Sequence, residues 1–203
     1  MENRSFQVRT DLALEEKESF EGEAGELSGV ALREWERKES GVKLTEVRIL
    51  NAQGAKTMGK PVGTYLTLEA ARLSKPDDEY HSQISEELAV QLRRLIAGVI
   101  DTECEHVSVL VAGLGNSSVT PDSLGPRVLS NLHVTRRLSD DKRTPVISGI
   151  APGVMAQTGM ETAEILQGII KETRPQLVIA IDALAARSVR RLFWKDSLIM
   201  LQR

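Results

Sequence analysis

HVSVLVAGLGNSSVTPDSLGP, from His106 to Pro126, is the stretch on which the fold turns. Its opening run, His106–Val111, is dominated by valine and leucine and reads as a strand. The chain leaves that strand through Gly113 and Gly115, turns polar, and reaches Asp122 just after a proline. Glycines directly after a strand mark a close approach to the backbone. The segment SLGPRVLSNLHV reads as helical beyond Pro126, because proline suits a first helical turn. The same order recurs downstream. PVISGI (Pro145–Ile150) reads as a strand, APGVMAQTGM as a glycine-bearing loop, and ETAEILQGIIKET as an amphipathic helix with Thr158 or Glu161 near its start. PQLVIAI (Pro175–Ile181) is a continuous apolar run of the fully buried strand type. Strands alternating with helices predict an α/β fold: a mostly parallel, twisted sheet with helices on both faces.

Upstream the pattern differs. VKLTEVRIL (Val42–Leu50) alternates apolar and polar residues, and TYLTLEA (Thr64–Ala70) is a second strand candidate. NAQGAKTMGKPVG between them reads as a turn-rich loop, so the pair forms an N-terminal antiparallel hairpin with a long connection. EYHSQISEELAVQLRRLIAGVI places Ile84, Leu88, Leu92, Leu95, Ile96 and Val99 on one helical face. The charge-rich stretch ALEEKESFEGEAGELSGVALREWERKES reads as one or two polar helices around a break at Gly22–Gly29.

Composition narrows the function classes. The 203 residues are 41% hydrophobic, enough for one core of ordinary size. A net charge of −3 and 3% aromatic content argue against a nucleic-acid surface or a base-stacking platform. Cys104 is alone, which rules out an intrachain disulfide. Its neighbours Glu103 and Glu105 disfavour a thiolate, so a nucleophilic role is the weaker reading. The chain lacks an apolar run of about 18 residues, and its first residues lack the apolar stretch of a signal peptide. A cytosolic setting, no membrane partner and no cofactor are the expectations.

Ligands of an open α/β sheet bind outside the carboxyl ends of its strands. Three loops qualify: AGLGNSSVTPDSLGP, GIAPGVMAQTGMET and DALAARS. Asp122 lies in the first, and Asp182 directly follows the apolar strand LVIAI. If their strands are neighbours, two carboxylates meet at one cleft and share a proton, so that one can deprotonate water while the other donates. Taken singly, each aspartate is read more simply as a helix cap or turn residue. GLGN lacks the third glycine of a dinucleotide fingerprint, and Ser117, Ser118 and Thr120 form no nucleophile elbow. His81, His106 and His133 are scattered, which leaves no metal-ligand spacing.

Three long motifs, GLGNSSVTPDSLGPRVLSNLHVTRRL, APGVMAQTGMETAEILQGII and PQLVIAIDALAARSVRRL, together with VRTDLALE near the start, closely resemble the spore germination protease family of spore-forming Firmicutes. The resemblance runs from about Val8 to about Leu192. It implies an atypical aspartic endopeptidase that degrades small acid-soluble spore proteins at germination in the spore core. It also implies a homotetramer, a zymogen, and a fold like that of hydrogenase maturation proteases. Carried over by motif, the catalytic aspartates are Asp122 and Asp182, with Gly113, Gly115 and Asn116 beside the substrate. The resemblance further implies a propeptide, residues 1–11, cut between Asp11 and Leu12, and a single protease-like domain over 12–203. Residues 193–203 depart from the family pattern, and the expectation is a chain truncated relative to the family. Two alternatives accompany this reading. One is an inactive truncated homologue. The other, by analogy of fold, is a nickel-linked maturation peptidase, for which His133 is the only histidine close to Asp122 in sequence.

Overall fold

The computed structural model describes residues 28–73, 75–100, 107–137, 144–183 and the strand at 197–202. The chain divides into two compact units, residues 1–95 with 184–203, and residues 96–183.

The first unit is built on an antiparallel sheet of four strands in the order β1-β2-β3-β7, with β1 at Val30–Arg37, β2 at Val42–Ile49, β3 at Gly63–Ala70 and β7 at Ser197–Gln202. Cross-strand pairs such as Leu44↔Leu68 and Val47↔Tyr65 fix its register. Successive side chains point to opposite faces, and both faces of β2 are apolar. Val42 and Leu44 pack with Leu66, Leu68, Tyr80 and Ile84. Val47 and Ile49 pack with Tyr65 and Met58. Two helices therefore cover opposite faces: α2 (Asp78–Ala97) supplies Tyr80 and Ile84, and α1 (Ala52–Met58) supplies Met58. On the α2 face the buried Glu46 carboxylate pairs with Arg94, and Arg37 pairs with Glu87 at 2.8 Å.

Three sequence expectations fail in this unit. VALREWER is strand β1, not polar helix, while the remainder of that stretch up to Leu27 lies outside the described residues. The strand escapes notice because it sits at the sheet edge. Only Val30 and Trp35 reach the core clusters, so its charged residues mask the period of two. The supposed loop after β2 contains α1, capped by Asn51, whose side chain accepts from Gly54 N at 2.9 Å, and closed by Gly59 in the left-handed region. Val99 lies beyond the end of α2 and is exposed, whereas Gln91 is buried on the sheet-facing side. Asp77 caps α2 through Tyr80 N at 3.0 Å.

The second unit carries a parallel sheet in the order β5-β4-β6, with β4 at Ser108–Gly113, β5 at Val146–Ile150 and β6 at Leu177–Ile181. Gly149 of β5 faces Leu129, next to the end of α3 (Leu124–Ser130). The opposite face, with Leu110, Ser148 and Ile150, borders a cavity of about 470 Å³ that Ile169 and Thr173 of α5 (Thr162–Thr173) also line. Glu161, not Thr158, opens α5 through a reciprocal capping box with Glu164. A short helix, α4 (Met155–Thr158), lies within the expected glycine loop. The fold is thus α/β, but parallel pairing is confined to this unit. The fully buried reading of β6 also fails, since Val178 is 39% exposed and Ala180 is exposed beside it. A continuous apolar run does not distinguish a strand covered on two faces from one covered on a single face. No helix among the described residues is long and apolar enough to cross a membrane.

Tyr65 is fully buried, donates to Pro61 O at 2.8 Å, and burial pushes its phenol above the ordinary 10.0. Its ionisation is disfavoured in the folded state, so the stability it contributes is complete below pH 10 and declines as pH rises through the folded value. In a Tyr80→Phe background, ultraviolet titration should show the one remaining tyrosine ionising above 10. Alkaline loss of stability should be shallower in Tyr65→Phe.

Candidate functional site at the β4 and β6 strand ends

A sheet of order β5-β4-β6 has its topological switch between β4 and β6, because the chain moves from β4 to one side and then crosses to the other. The crevice of an open α/β sheet lies at such a point, outside the carboxyl ends of the strands. Asp182 follows β6 directly, and Asp122 lies in the loop that follows β4. Gly113 and Ile181 are register partners, and the next amide, Leu114 N, donates to Ile181 O at 2.8 Å. The strand ends are therefore joined at the residue before Asp182.

The first turn of α3 closes over this junction at Gly125. A Cβ there would lie 2.4 Å from Ile181 O and from both Leu114 N and Leu114 O. Gly113 in turn abuts Gly125 O. Ser123, not Asp122, holds the N-cap position of α3. Asp122 ends a single 3₁₀ turn, Thr120–Asp122, and is turned back on its own loop. Asn116 N donates to Asp122 Oδ2 at 2.8 Å and to Asp122 O at 3.0 Å. Asp122 N donates to Val119 O and Val119 N to Asn116 O, which closes the turn. Gly115 has φ +106, and a Cβ on it would stand 2.1 Å from Asp122 O and 2.9 Å from Asp122 Oδ1. The missing side chains of Gly113 and Gly115 are thus matched to the protein's own atoms, Gly125 and Asp122.

Asp122 is half-buried and Asp182 exposed. Asp182 Oδ1 accepts from Ala183 N at 2.8 Å. Residues 184–196, on which a capping role for Asp182 would depend, lie outside the described residues. Each carboxylate thus uses one oxygen on a backbone amide, and the other oxygen makes no hydrogen bond among the described residues. Asn116 is the hub of the first loop. Its Oδ1 accepts from Ser118 N at 2.9 Å and from Gln157 Nε2 at 3.0 Å. Gln157 belongs to α4, so the loop after β5 also reaches this edge. Sequence reasoning marks that loop but singles out no site residue in it. Gly153 and Gly159, both with positive φ, frame the MAQT segment, but only the fold brings Gln157 to Asn116.

Other sequence candidates lie elsewhere. His133 is exposed and makes no hydrogen bond or ion pair among the described residues, and His81 sits in the first unit, its ring 3.0 Å from Leu73 O. His106, Cys104 and the Asp11–Leu12 junction lie outside the described residues. No group of three or more metal-ligating side chains occurs among the described residues. The lining of the 470 Å³ cavity includes neither aspartate.

Gly115→Ala should displace Asp122, since it combines a left-handed backbone with a contact too short for any Cβ. A loss of about 1–3 kcal/mol is expected from strain of this kind. Chemical denaturation measures the loss, and the amide shift of Asn116 in an NMR spectrum reports the displacement.

Comparison with known proteins agrees with the motifs. The family described as germination protease matches residues 7–197. The germination protease of Caldanaerobacter subterraneus is 45% identical over 193 residues, which is 91% of this chain and 56% of that protein. That of Clostridium tetani is 42% identical over 192 residues, 91% of this chain and 57% of its own length. That of Priestia megaterium is 40% identical over 199 residues, 92% of this chain and 52% of its own. The chain spans little more than half the length of these relatives. With a family match over nearly all of its length, and the same motifs forming the β4–β6 edge, the chain belongs to the germination protease family.

Proposed function

We propose that the protein is an endopeptidase of the aspartic type, with Asp122 and Asp182 as its catalytic pair and small acid-soluble spore proteins as its substrates in the germinating spore. The observation that carries this reading is the junction of the strand ends: Leu114 N donates to Ile181 O, one residue before Asp182, while Asp122 is packed on Gly115, one residue after Leu114. Two carboxylates on one strand-end edge, each bonded to a backbone amide through one oxygen, suit a division of labour. One takes a proton from water, and the water oxygen attacks the peptide carbonyl carbon. The other, in its protonated form, donates to the carbonyl oxygen. As the C–N bond breaks, the first carboxyl returns its proton to the leaving amine, and a hydroxyl of the tetrahedral species gives its proton back to the second. Asn116 borders the same edge and offers substrate its side-chain amide.

The homotetramer and the propeptide cut between Asp11 and Leu12 belong to the same proposal and rest on the family resemblance. In a form carrying the full length of the relatives, Asp122→Asn and Asp182→Asn should each abolish cleavage of a spore-protein substrate. The thermal melt should stay near that of the unsubstituted protein, because asparagine keeps the shape but cannot act as a base. Rapid cleavage by either variant would exclude the pair.

A further inference from the structure

We infer that Gln157 is a positioning residue for Asp122, acting through Asn116. The inference rests on the reading of Asp122 as catalytic and adds to it a residue from a third loop. Asn116 Oδ1 is fixed as an acceptor by the backbone amide of Ser118 at 2.9 Å, so its second partner at 3.0 Å must donate, which assigns the Gln157 contact to the Nε2 end of the amide. The other end, Oε1, lies over Gly153, where a Cβ would stand 3.3 Å away and where φ is +76. The turn after β5 is thus shaped around the Gln157 amide. The backbone of Asn116 is in turn what holds Asp122, through donation to Asp122 Oδ2 and to Asp122 O. Among the described residues Gln157 is the one side chain from outside the loop that hydrogen-bonds Asn116. The chain of contacts is therefore Gly153, Gln157, Asn116, Asp122, and it ties the loop after β5 to the loop after β4.

The consequence is specific. A donor at position 157 orients the Asn116 carboxamide and restrains the turn, whereas an acceptor there forces that carboxamide to rotate and to give up Ser118 N. Gln157→Glu keeps the size of the side chain but, ionised, has no proton to give. Gln157→Lys keeps a donor on a long stem. Gln157→Ala removes the contact. Loop amides exchange through local opening, and one net hydrogen bond of ordinary strength corresponds to roughly a two- to tenfold change in an opening equilibrium.

The test is hydrogen exchange on this 203-residue chain, read at Asn116 and Ser118, with Leu110 and Val111 of the buried strand as internal controls. The Ala and Glu variants should exchange about two- to tenfold faster at both loop amides, the Lys variant should match the unsubstituted chain, and the controls should stay unchanged. Equal protection in all four proteins would overturn the inference, as would equal loss in the Ala, Glu and Lys variants, which would mark a packing role for the native side chain instead. Peptide turnover by the same substitutions, in a form carrying the full length of the relatives, then separates the two readings. A fall in kcat with KM unchanged, restored by Lys, supports positioning of Asp122. Turnover that persists in Asp122→Asn removes the peptidase assignment of Asp122, and with it the positioning role for catalysis, whatever the exchange data give.

Discussion

The second unit depends on a hydrogen bond between backbone groups, from Leu114 N to Ile181 O at 2.8 Å, with Gly125 seated against both partners. That bond carries the β4–β6 ladder one residue past the strands. It commits the chain after β4 to leave the sheet at the edge where Asp182 emerges. Gly125 makes the commitment strict, because the atoms around it stand 2.4 Å from where a side chain would begin. The first turn of α3 then roofs the junction, and the loop in between must close on itself within a few residues. Asn116, Val119 and Asp122 do this through successive backbone bonds. The position of Asp122 follows from the way two strands and one helix start are joined, and cannot be changed alone.

This explains the division of labour among the polar residues. Asp122 and Asp182 each bind one backbone amide through one oxygen, which fixes the carboxylate without burying it. Asn116 spends its backbone on Asp122 and its side chain on Ser118 and Gln157. The glycines of the motif are structural partners of these contacts. Gly115 makes room for Asp122, and Gly125 for the strand junction. The first unit solves a different problem. Its antiparallel sheet is apolar on both faces, with α1 and α2 covering opposite sides.

Much of this was legible in the sequence where burial imposes a simple period. β2 and β3, the amphipathic α5 and the strand–loop–helix order around Asp122 all follow from spacing of apolar residues. The strand-end rule also brings Asp122 and Asp182 to one edge, provided that β4 and β6 are neighbours, and they are. What escaped was written in local polar chemistry or in tertiary context. VALREWER carries charges because an edge strand is wetted on much of its surface, so its composition imitates a polar helix. α1 is too short for a period and is announced only by Asn51 and Gly59 at its ends. The glycines after β4 signal a close approach, but the sequence does not say by what. The space left by Gly115 is filled by Asp122 itself. Gln157 has no pattern of its own, and only the fold brings it to Asn116.

The central claim is that Asp122 and Asp182 work as one catalytic unit at the junction of β4 and β6. Groups that act as a unit are strongly non-additive when removed together. The direct measurement is a kinetic cycle on the form with the relatives' full length, comparing kcat/KM for Asp122→Asn, Asp182→Asn and the double variant against one spore-protein substrate. The account predicts that the double variant is no slower than the more damaged single variant. Losses that multiply across the two sites would show two independent contributions, and would contradict it.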